Sequence, residues 1–317
     1  DVLTATVDWD DGAGPQALAG ATENVRPDAT LTFSQGHTYG DNGVYTVTVC
    51  GFDDDGGVGC DSINVTITNT DPTATIGADT YVAHAGDPVD IDANSTDPGS
   101  DDLTATWVWG DAEPNTVQTS LVNDPALDPP KSPSIQPRNV DWLATHTYAE
   151  ACLYELDLTV VDDDGGSAMD MATVIITGND DRIRSKGYWK NQYRWKNPNH
   201  FTTERLVCYL AIVRHMSDVF VEARGPLMTR NHAVDIFRAK PFTAINKLDK
   251  QLLAAWLNFA NGSYDLDTMV DTDGDGAVDT TYGNALAAAE TVRLNPASTK
   301  AELLAQKDIL DRLNNAG

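Results

Sequence analysis

Tyr45, Val47 and Val49 alternate with Thr46, Thr48 and Cys50; after a turn, Ile63, Val65 and Ile67 alternate with Asn64 and Thr66. Period-two alternation marks strands with one buried face, and the intervening Asp53-Asp54-Asp55-Gly56-Gly57 supplies residues that tolerate turn backbone. The stretch predicts a hairpin. Tyr154, Leu156 and Leu158, then Asp162-Asp163-Asp164-Gly165-Gly166, then Val174 and Ile176 predict a second. After Gly178-Asn179-Asp180-Asp181 the period becomes helical. Leu206, Leu210, Val213, Met216 and Phe220 form one stripe of a helix capped by Thr202 or Thr203. Ile245, Leu248, Leu252, Leu253, Trp256 and Leu257 predict another, from about Phe242 to Ala260, stopped by Asn261-Gly262. A shorter helix is expected over Arg230 to Ala239, and Thr299-Lys300-Ala301-Glu302 reads as a capping box for one ending at Leu313.

The hairpins belong to a longer repeat. Residues 1–12 align with 101–112, and His37-Thr38-Tyr39, Tyr45 and the first aspartate turn recur 109 residues later as His146-Thr147-Tyr148, Tyr154 and the second turn. Fixed order with one insertion of 109 − 100 = 9 residues means two copies of one module. Because Asp1 aligns with Asp101, the first copy has no counterpart of residues 73–100, which are expected to form the first two strands. An open edge and an uncovered apolar face are then expected. Either the sequence is a fragment of a longer protein, or a strand from a neighbouring copy completes the module and builds a head-to-tail polymer.

The Trp-containing strands Val7-Asp8-Trp9-Asp10-Asp11-Gly12 and Trp107-Val108-Trp109-Gly110-Asp111, the His-Thr-Tyr triplets and the Asp-Asp-Asp-Gly-Gly hairpins resemble PKD domains. Asp10 stands where that family has glycine, and Trp109 where it usually has phenylalanine. The resemblance covers about residues 1–178. It implies immunoglobulin-like β-sandwiches of secreted or cell-surface proteins, in a spacer, adhesion or carbohydrate-proximal role without catalysis. The expected fold is multidomain: PKD-like sandwiches over 1–70, incomplete at its start, and 71–179, then a mainly α-helical domain with a calcium loop over 180–317. That last part resembles the Gly-Tyr-Trp-Lys-Asn modules that follow β repeats in secreted bacterial proteins. The whole reads as a bacterial or archaeal surface protein.

Charge sharpens the division. Residues 1–180 carry 3 basic and 32 acidic side chains, 3 − 32 = −29, whereas 181–317 carry 18 and 16, 18 − 16 = +2. So acidic a front excludes nucleic acid and anionic lipid as its partners. No apolar run is long enough to span a bilayer, so membrane insertion is not expected. Arg182, Arg184, Lys186, Lys190, Arg194 and Lys196 interleave with Tyr188, Trp189, Tyr193 and Trp195. Such a stretch either packs, most simply against a β module, or contacts a glycan through stacked rings and cations.

Cys50 and Cys60 flank the first turn on opposite arms with the same parity, so both face away from the core and a disulfide between them is expected. The second module has Thr159 and Met169 at those places. Cys152 and Cys208 are read as buried free thiols, with an interdomain bridge as the alternative. A disulfide implies an oxidising, extracellular location.

The strongest site signal is Asp271-Thr272-Asp273-Gly274-Asp275-Gly276-Ala277-Val278-Asp279. Asp271, Asp273, Asp275 and Asp279 occupy positions 1, 3, 5 and 9 of a tight loop with glycine at 6, and the Ala277 carbonyl falls at 7, a hard-oxygen set suited to calcium. Tyr282 stands at position 12, where an EF-hand has glutamate, so the loop looks more like those of thrombospondin-type repeats or dockerins. Asp265 or Asp267 is the candidate for the missing oxygen. The two aspartate turns of the β modules are explained by turn geometry, with calcium binding as the alternative reading. No catalytic motif is present, and His37 and His146 belong to the repeat. The reading is a non-enzymatic extracellular structural protein, a fibre subunit assembled by strand complementation or an adhesin segment, whose partners are itself or other surface proteins. A glycan-binding accessory module of a larger secreted enzyme is the alternative.

Overall fold

The computed structural model describes residues 2–25, 28–122, 137–194, 200–221 and 229–316, without side-chain detail at 21–25, 28 and 29. The first module contributes β1 (Thr4–Asp8), β2 (Gln16–Leu18), β3 (Ala21–Val25), β4 (Asp28–Thr32), β5 (Gly43–Phe52) and β6 (Val58–Ile67). They form a four-stranded antiparallel sheet in the order β2-β1-β5-β6 and a separate β3-β4 hairpin. The second module contributes β7 (Thr75–Ile76), β8 (Thr80–His84), β9 (Pro88–Asp97), β10 (Leu103–Val108), β11 (Thr116–Ser120), β12 (Arg138–Thr147), β13 (Leu153–Asp162) and β14 (Ser167–Thr177). Here a five-stranded sheet, β11-β10-β13-β14-β8, faces a three-stranded one, β12-β9-β7. This is a β-sandwich.

Equivalent strands pair in identical register. Thr6 opposes Cys50 as Thr106 opposes Thr159, and Cys50 opposes Cys60 as Thr159 opposes Met169. The His-Thr-Tyr triplet is explained by a repeated stack. Trp9, His37, Tyr39 and Tyr45 form a chain of rings 3.9–4.7 Å apart, and Trp109, His146, Tyr148 and Tyr154 repeat it at 4.4–4.6 Å. Each triplet tyrosine donates its hydroxyl to the carbonyl of the tryptophan, and each histidine sits beside a buried aspartate, Asp11 or Asp111. In both copies the histidine and tyrosine turn inward while the threonine between them is exposed, so two residues of a three-residue word pack together.

The strand that carries the tryptophan turns through left-handed backbone at matching places. Asp10 and Gly110 have φ of 62° and 75°, Gly12 and Ala112 of 85° and 67°. At Gly110 a Cβ would lie 2.4 Å from the Glu155 carbonyl oxygen. At Asp10 the side chain instead accepts a hydrogen bond from Thr46 N–H, the residue equivalent to Glu155. The departure from glycine is thus accommodated by a local side-chain bond.

Among the described residues, three strands of the second module, not two, have no counterpart in the first: β7, β8 and β9 all fall within residues 73–100. Their effect on burial is direct. Ala172, Val174 and Ile176 on β14 are 5%, 0% and 0% exposed beneath that cover, whereas their equivalent Ile63 on β6 is 66% exposed and Val65 and Ile67 are half-buried.

The rest is helical: α1 (Lys186–Gln192), α2 (Thr203–Met216), α3 (Arg230–Arg238), α4 (Ala244–Ala260), α5 (Tyr282–Leu294) and α6 (Lys300–Leu313), with a two-stranded ladder of β15 (Met269–Val270) and β16 (Thr280–Thr281) ahead of α5. Each described helix starts at a Ser or Thr whose hydroxyl accepts the backbone N–H three residues on, from Ser185, Thr202, Thr229, Thr243, Thr281 and Thr299. Thr299 and Glu302 form the expected capping box. The helix expected to reach Phe220 ends at Met216, because the buried Ser217 hydroxyl accepts the Val219 and Phe220 N–H groups and donates to Glu290. Leu252, Leu253, Trp256 and Leu257 of α4 occupy the core of this region as their spacing requires.

Helices and sandwich share a core, which Ala151 and Ile175 enter from the β side. Cys152 and Cys208 are joined across this contact in a disulfide with a Cα separation of 4.6 Å, which overturns the expectation of free thiols. Cys208 lies on the turn of α2 that meets the start of β13, a juxtaposition created by docking and invisible to spacing. Cys50 and Cys60 are bridged as expected. The two bodies also meet where Gly178 N–H donates to the Ala260 carbonyl; a Cβ at Gly262, φ +83°, would lie 2.0 Å from the Gly178 oxygen. At the same joint Asp180 accepts hydrogen bonds from Arg182 and Arg184.

Gly262→Ala is therefore expected to lower the melting temperature much more than Gly86→Ala. Gly86 also has positive φ, +94°, but open space around it, so its replacement costs only the left-handed penalty of about 1–2 kcal/mol. Thermal denaturation of both variants checks this. Burial works to raise the Asp180 carboxyl, but the Arg182 and Arg184 bonds outweigh it and hold it at about 2. A folded-state value below the ordinary carboxylate range stabilises above that range and is lost as pH falls from about 4 toward 2. Asp180→Asn should flatten the fall of melting temperature over that interval.

Candidate metal centre

The loop between β15 and β16 brings three of the expected ligands together. Carboxylate oxygens of Asp271, Asp273 and Asp279 lie within 4.8 Å of one another. Local hydrogen bonds set this geometry. Asp271 accepts Gly274 N–H at 2.6 Å and Gly276 N–H at 2.9 Å, and Asp279 accepts from the Thr272 amide and hydroxyl across the loop. Gly274 and Gly276 both have positive φ, +87° and +92°, which is why glycine occupies these turns. The N–H groups of Gly274 and Gly276 hold the Asp271 carboxyl below the usual carboxylate value.

Asp275 is exposed and accepts the Ala277 N–H, outside the three-carboxylate group. Asp265 Oδ1 lies 3.1 Å from His84 Nε2 of β8, so it serves the contact with the sandwich. Tyr282 is fully buried, stacked on Tyr264 at 4.2 Å, and donates its hydroxyl to the Ala255 carbonyl. It anchors α5 and offers nothing to the loop. One partner escaped sequence reasoning: Arg312 of α6 donates to the Thr272 and Asp273 carbonyls. Its position in the last turn of a predicted helix is the only signal it gives. Three carboxylates on a glycine-shaped loop match the hard-oxygen donor chemistry of calcium. Such an ion would tie the β15-β16 ladder to the start of α5.

The aromatic and basic stretch packs into the helical core instead of against a β module. Trp189 and Tyr193 are fully buried, Trp189 Nε1 donating to Asn258 and the Tyr193 hydroxyl to the Leu206 carbonyl. The Arg184 guanidinium lies 4.6 Å over the half-buried Tyr188 ring. Trp195 and Lys196 lie outside the described residues. Neither Trp189 nor Tyr193 offers a face for a sugar to stack on. Lys186 and Lys190 line a cleft of about 550 Å³ with Phe242, Lys247, Lys250 and Lys307.

No family model and no curated protein matches the chain. Among solved structures it is similar to the PKD domain of an M14-like peptidase from a Thermoplasmatales archaeon, at 15% identity and a TM-score of 0.26, over 34% of this chain and 98% of that one. It is also similar to the ASH / PapD-like domain of human CEP192, at 6% identity and a TM-score of 0.21, over 34% of this chain and 87% of that domain. Likeness at these identities concerns fold alone. No helix among the described residues is long and apolar enough to cross a membrane. The two disulfides fit an oxidising, extracellular setting.

Calcium is expected to raise the melting temperature of the chain, and chelation to lower it. Calorimetric titration should show heat that Asp271→Asn with Asp279→Asn removes in part; unchanged binding in that double variant would count against the loop.

Proposed function

We propose that the chain is a non-catalytic structural segment of a secreted or surface-displayed fibre or adhesin, built from two PKD-like modules and a helical domain that calcium ties through the Asp271–Asp279 loop. The first module is completed by strands from a neighbouring copy. One observation carries this reading: Ala5, Val7, Tyr45 and Val47 are buried, but along β6 the inner face of the β2-β1-β5-β6 sheet lies open at Ile63, where its counterpart is roofed by β12, β9 and β7. Beside β4 the open face forms a cleft of about 480 Å³ lined by Leu3, Ala5, Leu31, Phe33 and Val49. Uncovered apolar area of this kind favours association at about 25 cal/mol per Å² buried. The proposed occupant is a set of strands like the second module's own Thr75–Ile76 and Pro88–Asp97, laid across the sheet. The acidic front adds solubility between such contacts.

Sedimentation velocity and electron microscopy across a range of concentrations test this. Species larger than the monomer are expected, with assembly abolished by Ile63→Asp and capped by excess peptide of the sequence 73–100. A folded chain that stays monomeric throughout would overturn the reading.

A further inference from the structure

A second group of carboxylates lies where the two β modules meet, and it is far more buried than the loop. Asp41 precedes β5 of the first module; Asp97 ends β9, Asp101 precedes β10, Asp162 ends β13 and Asp164 sits in the following turn, all in the second. Oxygens of Asp41, Asp101 and Asp164 lie within 4.8 Å of one another, and so do those of Asp97, Asp101 and Asp162. Asp101 belongs to both sets. Asp41, Asp97 and Asp101 are only 5%, 1% and 2% exposed.

Some oxygens here are satisfied. Asp41 accepts the Asn42 N–H, Asp97 the Gly99 N–H, and Asp162 both the Gly166 N–H and the Asn69 side-chain amide. Asp41 Oδ2, Asp97 Oδ2 and Asp101 Oδ1 are buried with no hydrogen-bond partner. Among the described residues no Lys, Arg or His makes an ion pair with any of the five. Buried carboxylates are ordinarily paired, hydrogen-bonded or bound to a metal.

We propose that this junction is a divalent cation site of the calcium class, with Asp101 as the shared ligand and Asp41 as the first module's contribution. The spacing suits it. Ligands on opposite sides of an ion with bonds of about 2.4 Å stand about 4.8 Å apart, and calcium accepts several carboxylates at once whereas magnesium retains water. Burial, then the carboxylates of Asp97, Asp41, Asp163 and Asp164, pushes the Asp101 carboxyl up to about 8. Burial also raises the Asp97 carboxyl, and it lifts Asp41 to about 6 against the Asn42 hydrogen bond. Because its ligands come from both modules, the ion clamps a joint otherwise marked by the Ser100 N–H to Gly40 carbonyl bond and the Asn69–Asp162 bond. The modules become a rod in calcium and a hinged pair without it.

The test uses the full chain carrying Asp271→Asn and Asp279→Asn, which silences the loop. Calorimetry should still detect calcium binding, and small-angle scattering should show the chain stiffen as calcium is added. Asp101→Asn should abolish both effects while leaving the calcium-free melting temperature close to the parent's, since asparagine matches the carboxyl in size and removes one of several crowded like charges. Asp164 is exposed, so Asp164→Asn should fold normally and weaken binding by about tenfold or more. No binding in the loop-silenced chain, or binding that both junction variants leave unchanged, would overturn the proposal. Loss of the loop signal alone would leave this result intact.

Discussion

A sheet with one apolar face is stable only where something lies across that face. The second module meets the condition internally: Ile91, Ala93, Trp142 and Ala144 of the smaller sheet close over Leu103, Trp107, Leu158 and Val174. The first module has the same strands in the same register and the same ring stack, yet its Ile63 is mostly exposed. The difference lies in the covering strands β7 and β9 and in β8, which pairs with β14 at the edge of the sheet. Two copies of one module thus serve as an internal comparison, and the contrast between them is the physical basis for reading the protein as a component of something larger.

Much of this was legible before any coordinates. Alternation placed the paired hairpins, the repeat offset placed their equivalence, and parity placed the Cys50–Cys60 bridge. Threonine caps and the Thr299–Glu302 box marked the helix starts, because capping is a local interaction written within four residues. The aspartate loop was legible for the same reason: its ligands and glycines lie within nine residues.

What escaped was everything that depends on docking. Cys152 and Cys208 are 56 residues apart and on different kinds of element, so no periodicity connects them. Arg312 reaches the loop from α6, and Trp189 turns inward because α4 presents Asn258 to its indole N–H. The carboxylates at the module junction show the sharpest form of this limit. Asp97 and Asp101 look like ordinary turn residues, and only the approach of Asp41 and the second aspartate turn makes them a cluster. An aspartate turn is fully explained by its own geometry until its neighbours are known.

The Cys152–Cys208 bridge also decides how the chain would bear tension. A pull applied at residues flanking the covalent ring passes from one sulfur to the other, so the segment between them is never stretched. That shielded length includes β13, β14, the Gly178 contact and α1, 56 residues in separation and roughly 190 Å if it were drawn out fully. Reducing the bridge would place that slack in the load path and make the seam between sandwich and helices the first to open.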